Sequence, residues 1–292
     1  MRAAPLCPPS PQAGEVAERS EVGGGSPRGP RLSAHLRRSV TLQTMRTIRD
    51  WIFTIPFLIA FGLTLGFYDL VGRLALRRGP RAFERAMASL QKSLVGTFRI
   101  CGTQITIEKS DLIEPDRGYA IISNHQSMFD IAIIGGTLFT NYPKYVAKKE
   151  LGKWIPSISL NLTRGGNALI DRKDRSQSLR AIKEMAATSQ QRDVSVMIFP
   201  EGSRSRDGEL REFKRGGMTT MLKQADQLPV IPVAVDGSWR LLVNNLFPVP
   251  YGTKVRVRFG DPIARSPDDA DEVAQEAEAW IRKTLAEWRP SG

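Results

Sequence analysis

Along residues 103–262, short apolar runs alternate with segments whose apolar positions recur every three or four residues. The runs Ile105–Ile107, Tyr119–Ser123, Tyr145–Ala147, Ala168–Ile170, Val194–Phe199, Ile231–Val235 and Val255–Phe259 predict strands. They are short, apolar and bounded by turn-forming residues. Between them Ile131–Phe139, Arg175–Thr188 and Gly216–Ala225 carry the helical period. Strands alternating with helices predict an α/β class with a mostly parallel sheet flanked by helices. A further helix is expected from Pro267 to Trp288, with Ser266 as N-cap and Asp268 and Asp269 at the positive end of its dipole.

The pattern changes ahead of this region. From Trp51 to Tyr68 there is no charged residue. That is near the ~20 apolar residues a membrane-crossing helix needs. No small-x-small cleavage site follows, so an uncleaved anchor is expected rather than a signal peptide. A spanning and an interfacial helix both fit the run. Phe83, Met87, Leu90, Leu94 and Phe98 then recur at spacings of three and four, with Arg81, Arg85, Lys92 and Arg99 around them. This stripe fits an ordinary helix packing on a core, but its place directly after an anchor favours one lying among lipid headgroups. The organisation read from the pattern is a head over 1–44, membrane-anchoring helices over 45–100, an α/β domain over 101–265 and a C-terminal helix over 266–292. The head is expected to be disordered, because Pro5–Pro30 is rich in Pro, Gly and Ser and poor in large apolar residues. Met45 resembles a natural start.

Charge narrows the partners. The chain has 42 basic and 30 acidic residues, a formal net charge of +12. Such an excess favours anionic lipids, phosphorylated substrates or nucleic acid. Basic residues flank the apolar run on both sides, at Arg46 and Arg49 and again from Arg73 to Arg85, which suits an anionic membrane surface. No stripe of basic residues interleaved with aromatics is present, so no nucleic-acid partner is expected. With two cysteines, Cys7 and Cys101, placed in different regions, a disulfide scaffold is not expected either.

The chain has two histidines, and His35 lies in the head. A histidine-based mechanism therefore rests on His125, where the run Tyr119–Ser123 ends. Catalytic groups of open α/β sheets gather where strands end. Asp130 follows five positions later, within reach if the chain turns between them. A carboxylate on one ring nitrogen fixes the tautomer and leaves the other free to take a proton. An isolated histidine is more often a backbone-bonded structural residue; the Asp130 spacing favours the base. With one histidine in the folded part and no cysteine cluster, no metal site is expected. Ser127 lacks a Gly-x-Ser-x-Gly elbow, so a serine hydrolase is not expected. A second constellation is VMIFPEGSRSRDG, where small residues allow close backbone approach and Arg204 can grip phosphate oxygens. Arg172 follows the run Ala168–Ile170, and Lys148 and Lys149 follow Tyr145–Ala147. Basic residues at three strand ends could face one phosphate-bearing substrate.

Taken together, NHQSMFD with Asn124, His125 and Asp130, GGNALIDR ending in Arg172, FPEGSRS and VIPVAV around Pro232 resemble, in order, the four blocks of the glycerolipid acyltransferase family. Members of that family include 1-acylglycerol-3-phosphate acyltransferases. The one departure is Ser203 in place of a threonine, which keeps the hydroxyl. The resemblance covers roughly residues 45–260 and implies an α/β acyltransferase domain behind membrane-associating helices. It implies transfer of a fatty acyl group from acyl-CoA or acyl carrier protein to the sn-2 hydroxyl of 1-acyl-sn-glycerol-3-phosphate, giving phosphatidic acid. No cofactor beyond the acyl donor is implied. His125 would be the general base and Asp130 its orienting partner. Glu201, Gly202, Ser203 and Arg204, with Arg172, would bind the glycerophosphate. The setting implied is a membrane surface, with the catalytic domain on the cytoplasmic face of the inner (plasma) membrane. Two alternatives stay open: another lysolipid acceptor, such as a lyso-aminolipid, and a non-catalytic membrane-surface binding protein.

Overall fold

The computed structural model describes residues 34–266 and 268–289, with side chains from residue 43 onward. Expectations for residues 1–33 and for Pro267 lie outside the described residues. Seven strands form one sheet: β1 (Gln104–Lys109), β2 (Ala120–Ser123), β3 (Lys144–Lys148), β4 (Ala168–Ile170), β5 (Val196–Ile198), β6 (Val230–Asp236) and β7 (Lys254–Phe259), in spatial order β1-β7-β6-β2-β5-β3-β4. All pairings are parallel except β6 with β7. The carboxyl ends of β2, β3, β4, β5 and β6 therefore share one edge. Each of the seven expected runs overlaps a strand.

Strand alternation divides the core in two. Ile121 of β2, Met197 of β5 and Ile231, Val233 and Val235 of β6 face one side. Ala120 and Ile122, Val196 and Ile198, and Val230 and Ala234 face the other. Central strands covered on both faces need apolar residues at every position, which is why β2 and β5 read as unbroken apolar runs. The first face is covered by α1 (Ala34–Leu76), α2 (Pro80–Thr97), α3 (Asp130–Thr137) and α4 (Ile158–Arg164). The second is covered by α5 (Arg175–Gln191), α6 (Arg215–Gln224) and α7 (Ala270–Trp288).

Three expectations change. The stripe Phe83, Met87, Leu90, Leu94 and Phe98 is buried, not interfacial. It packs against α1 and the start of α3: Phe98 lies 4.8 Å from Phe57 and 4.5 Å from Phe129, centroid to centroid. Helix α1 starts at Ala34, so His35 and the residues up to Thr44 are helical rather than part of an unstructured head. No Gly or Pro interrupts the chain between Ala34 and Pro56, and Leu, Arg, Gln and Met favour helix. Helix α7 begins at Ala270 with Asp269 as its flanking residue, so Ser266 is not the N-cap. Asp268 has φ 61°, a left-handed turn a helix cannot continue through, and Asp269 is held by Arg265 at 2.8 Å and accepts the Ser266 N–H at 2.5 Å.

From Asp50 to Asp69, helix α1 lies along the domain. Asp50 accepts the Tyr251 N–H at 3.1 Å, and the Thr54 hydroxyl accepts the Val249 N–H at 2.9 Å. Farther on, Tyr68 bonds Ser93 at 2.9 Å and Asp69 accepts the Ser157 N–H at 2.8 Å. The opposite face is bare: Ile48, Ile52, Ile55, Ile59, Leu63, Phe67, Leu70 and Leu74 are exposed at helical spacing. By length and composition α1 could cross a membrane.

Candidate active site

Residue by residue, the site grows from the end of β2. The Asn124 side chain donates to the Val235 carbonyl and accepts from the Val235 N–H, both at 2.8 Å. That two-way bond fastens the overrun of β2 to β6 and fixes where His125 begins. The chain then turns, and the Asp130 N–H donates to the Ser127 carbonyl at 3.2 Å as α3 starts. The turn returns Asp130 to His125: Nδ1 lies 3.0 Å from Asp130 Oδ2.

Asp130 is completely buried and fully engaged. Oδ2 also accepts the backbone N–H groups of Gln126 at 2.7 Å and Ser127 at 2.8 Å. Oδ1 accepts the Ser238 hydroxyl at 2.6 Å. Because Oδ2 already accepts two N–H bonds, it has no proton to give to the ring, so His125 Nδ1 carries the hydrogen. The Nε2 lone pair is left free to accept a proton. The imidazole stacks on Phe199, 4.0 Å between centroids and 19° between planes, which holds the ring's orientation. Its side chain keeps 14% exposure, so the free nitrogen can be reached.

From the neighbouring strand β5 comes the turn Phe199–Gly202. The Gly202 N–H donates to the Phe199 carbonyl at 3.0 Å, and Gly202 has φ 68°, a conformation that favours glycine. Glu201 points inward. Its Oε1 accepts the His125 N–H at 2.6 Å and its Oε2 accepts the Arg211 N–H at 3.2 Å. Burial pushes its carboxyl up to about 7, against the opposing pull of those two N–H bonds. The Ser205 N–H donates to the His125 carbonyl at 2.8 Å. The loop after β5 is thus tied to the histidine loop from both sides. Its carboxylate is buried and bonded to backbone N–H groups of both loops, so it organises the site.

The remaining expected residues are spread more widely. Arg204 is exposed and makes no hydrogen bond or ion pair among the described residues. Ser203 Oγ accepts from Arg211 Nη1 at 2.9 Å. Arg172 is exposed beyond β4, which lies three strands from β2. At ordinary strand spacing that is about 14 Å. Lys149 is in close ion contact with Asp171, so its charge is committed. The turn after β4 nevertheless approaches the β5 loop: Arg175 Nη2 is 3.7 Å from the Cβ position of Gly216, at the start of α6. Arg211 and Lys214 lie beside the Phe199–Ser205 loop that carries Arg204, whereas Arg172 stays with the turn after β4. Ser127 is completely buried, with its Oγ accepting the Phe129 N–H at 3.2 Å, and is no nucleophile.

Three residues were not singled out from sequence. Ser238 holds Asp130 from 108 positions away, and no local signal marks it. Arg211 and Lys214 sit in the basic run REFKRGG, which reads as a solvated turn until the fold brings it beside Gly202; Lys214 Nζ is 3.5 Å from the Cβ position there.

The acyltransferase family model matches residues 104–236. A 1-acyl-sn-glycerol-3-phosphate acyltransferase of Cocos nucifera is 33% identical over 176 residues, covering 59% of this chain and 53% of that protein. The 1-acyl-sn-glycerol-3-phosphate acyltransferase alpha of Homo sapiens is 29% identical over 153 residues, covering 51% of each. The chain thus spans about half the length of these relatives. A crystal structure of the 1-acyl-sn-glycerophosphate acyltransferase PlsC of Thermotoga maritima shares the fold, with TM-score 0.67 and 24% identity over 85% of this chain and 99% of that one.

Proposed function

Because residues 104–236 of this chain belong to the acyltransferase family, we propose that it transfers a fatty acyl group from an acyl thioester to the sn-2 hydroxyl of 1-acyl-sn-glycerol-3-phosphate, forming phosphatidic acid. The observation that carries the reading is the His125–Asp130 pair, with Nδ1 engaged at 3.0 Å and Nε2 open. The acceptor hydroxyl gives its proton to His125 Nε2 as its oxygen bonds the thioester carbonyl carbon. The tetrahedral intermediate then expels the thiolate, which takes the proton from the imidazolium. No acyl-enzyme is needed. A positioned general base contributes ~10²–10⁴-fold; holding both substrates in line supplies much of the rest.

In this reading Arg204, on a loop fastened to His125, grips the acceptor phosphate, with help from Arg211 and Lys214 near the same loop and from Arg172 beyond β4. Guanidinium groups suit phosphate because they donate in bidentate fashion. The exposed stripe of α1 serves membrane attachment. Since α1 is bonded to the domain from Asp50 to Asp69, it fits a helix lying in one leaflet better than one crossing the bilayer. An acyl donor made in the cytoplasm would put the domain on the cytoplasmic face of the inner (plasma) membrane.

The test is purified protein on vesicles with acyl-CoA or acyl carrier protein and a panel of lysolipids, following thiol release and lipid product. Thiol release with lysophosphatidic acid, abolished in folded His125→Ala protein, is expected. Preference for a lyso-aminolipid would move the acceptor assignment, and no thiol release with any acceptor would leave a binding protein.

A further inference from the structure

Besides the dyad, the structure has a cleft of about 390 Å³ between β7 and the C-terminal end of α7. We propose that it binds the phosphorylated adenosine end of a coenzyme A thioester. The proposal rests on the acyltransferase reading and specifies its donor.

Three observations carry it. The first is charge without an acidic partner. Arg240, Lys254 and Arg256 line the cleft and form no ion pair among the described residues, Arg240 lying over the Trp239 ring at 5.2 Å. The acidic groups nearby are largely occupied: Asp236 is in close contact with Arg289, and Asp207 accepts the Ser205 hydroxyl at 2.7 Å and the Glu209 N–H at 3.0 Å. Glu209 is mostly exposed, with a long 3.5 Å contact to Arg289. Arg240, Lys254, Arg256 and Arg289 thus face Asp207, Glu209 and Asp236, one positive charge in excess, and Lys254 and Arg256 stay free of ion pairs to meet phosphate oxygens. The second is aromatic surface. Trp239 and Trp288 contribute half-buried indoles to the walls; Arg240 and Arg258 lie over these rings, each at 5.2 Å, and an indole so placed can take a purine base on its other face. A concave volume of this size fits a small molecule, whereas a carrier protein would dock on a flatter surface.

The third is location. Lys254 and Arg256 alternate with Val255 and Val257, which pack in the core cluster with Phe57 of α1. The cleft therefore opens on the sheet face opposite α1, away from the apolar stripe, so lipid headgroups gathered at that stripe would not reach it. It is also close to the dyad. Gln126, next to His125, donates to the Gly208 carbonyl at 3.2 Å, and Arg289 in the cleft wall donates to that same carbonyl at 2.9 Å. A nucleotide held there leaves a pantetheine arm to cross a short span to His125.

The experiment compares the wild-type chain with a Lys254→Glu, Arg256→Glu double variant, whose changes sit on exposed positions. Tryptophan fluorescence is followed on adding adenosine 3′,5′-bisphosphate. Initial rates are measured with palmitoyl-CoA, palmitoyl carrier protein and palmitoyl-N-acetylcysteamine, which has the thioester but no nucleotide. The expected result is quenching in wild type that weakens about tenfold or more in the variant, as for lost charge-assisted bonds. The kcat/KM for palmitoyl-CoA should fall in parallel, with the N-acetylcysteamine donor within twofold of wild type. No quenching in wild type overturns the proposal, as does equal loss with all three donors or loss confined to the carrier protein. Quenching without transfer from any donor would retain the nucleotide site and refute the acyltransferase reading instead.

Discussion

Asp130 shows how much one carboxylate can decide. With no exposure to solvent and four donors around it, it serves as the hub of the site. Asp130→Asn introduces an amide that can donate to Nδ1 and so favour the wrong tautomer. We expect kcat to fall by at least ~10²-fold, within the range of general-base catalysis, with the fold retained by circular dichroism. Ser238→Ala removes one bond to the same carboxylate and leaves the ring contact, so a loss of roughly tenfold or less is expected. Equal effects would mean that Ser238 has more than a positioning role. Glu201 gives a second prediction. Burial raises its carboxyl from the ordinary 4.5 to about 7. The folded state therefore binds this proton more tightly than the unfolded chain. Its contribution to stability is present below about 4.5 and is lost as pH rises towards 7. Glu201→Gln has no charge to bury, so its Tm relative to wild type should improve over that pH range. A difference that stays constant with pH would show that Glu201 does not titrate there.

Among the elements, α1 carries the clearest division of labour. One face holds Phe57 in the core, and the other exposes Ile52, Ile59 and Leu63. Changing these three to Asp should leave thermal stability near wild type, because they contact no core residue in solution. It should sharply reduce co-sedimentation with anionic vesicles, since each loses the burial of a large apolar side chain, worth about 1.5–3 kcal/mol. Wild type should stay bound at 1 M salt, where the Debye length is only about 3 Å, and come off in detergent. Release of wild type by salt alone would make charge the main attachment. Helix α2 had the more regular apolar stripe in sequence, yet that stripe is buried. An amphipathic stripe reports that a face must be covered; whether protein or lipid covers it depends on which neighbours arrive.

For the molecule as a whole, the strand-end edge collects side chains from loops far apart in sequence. Arg204 lies on the loop bonded to His125, whereas Arg172 lies beyond β4, three strands away. Arg204→Ala should raise the KM for lysophosphatidic acid by about tenfold, the usual cost of losing a charged hydrogen bond, with kcat little changed. Arg172→Ala should do the same more weakly, and lysine at either position should rescue only in part. A larger effect at Arg172 would place the phosphate nearer β4. The central strands β2, β5 and β6 were legible in sequence because burial on both faces requires continuous apolar runs, and the His125–Asp130 pair because both residues lie in one turn. Local order of this kind is set by chain connectivity and side-chain period, which a linear sequence carries directly. The inward aim of Glu201, the bond from Ser238, the burial of the α2 stripe and the cleft beside β7 depended on elements packing from distant parts of the chain. Only tertiary structure decided those, because a side chain's partner is chosen by what the fold brings within hydrogen-bond or van der Waals reach.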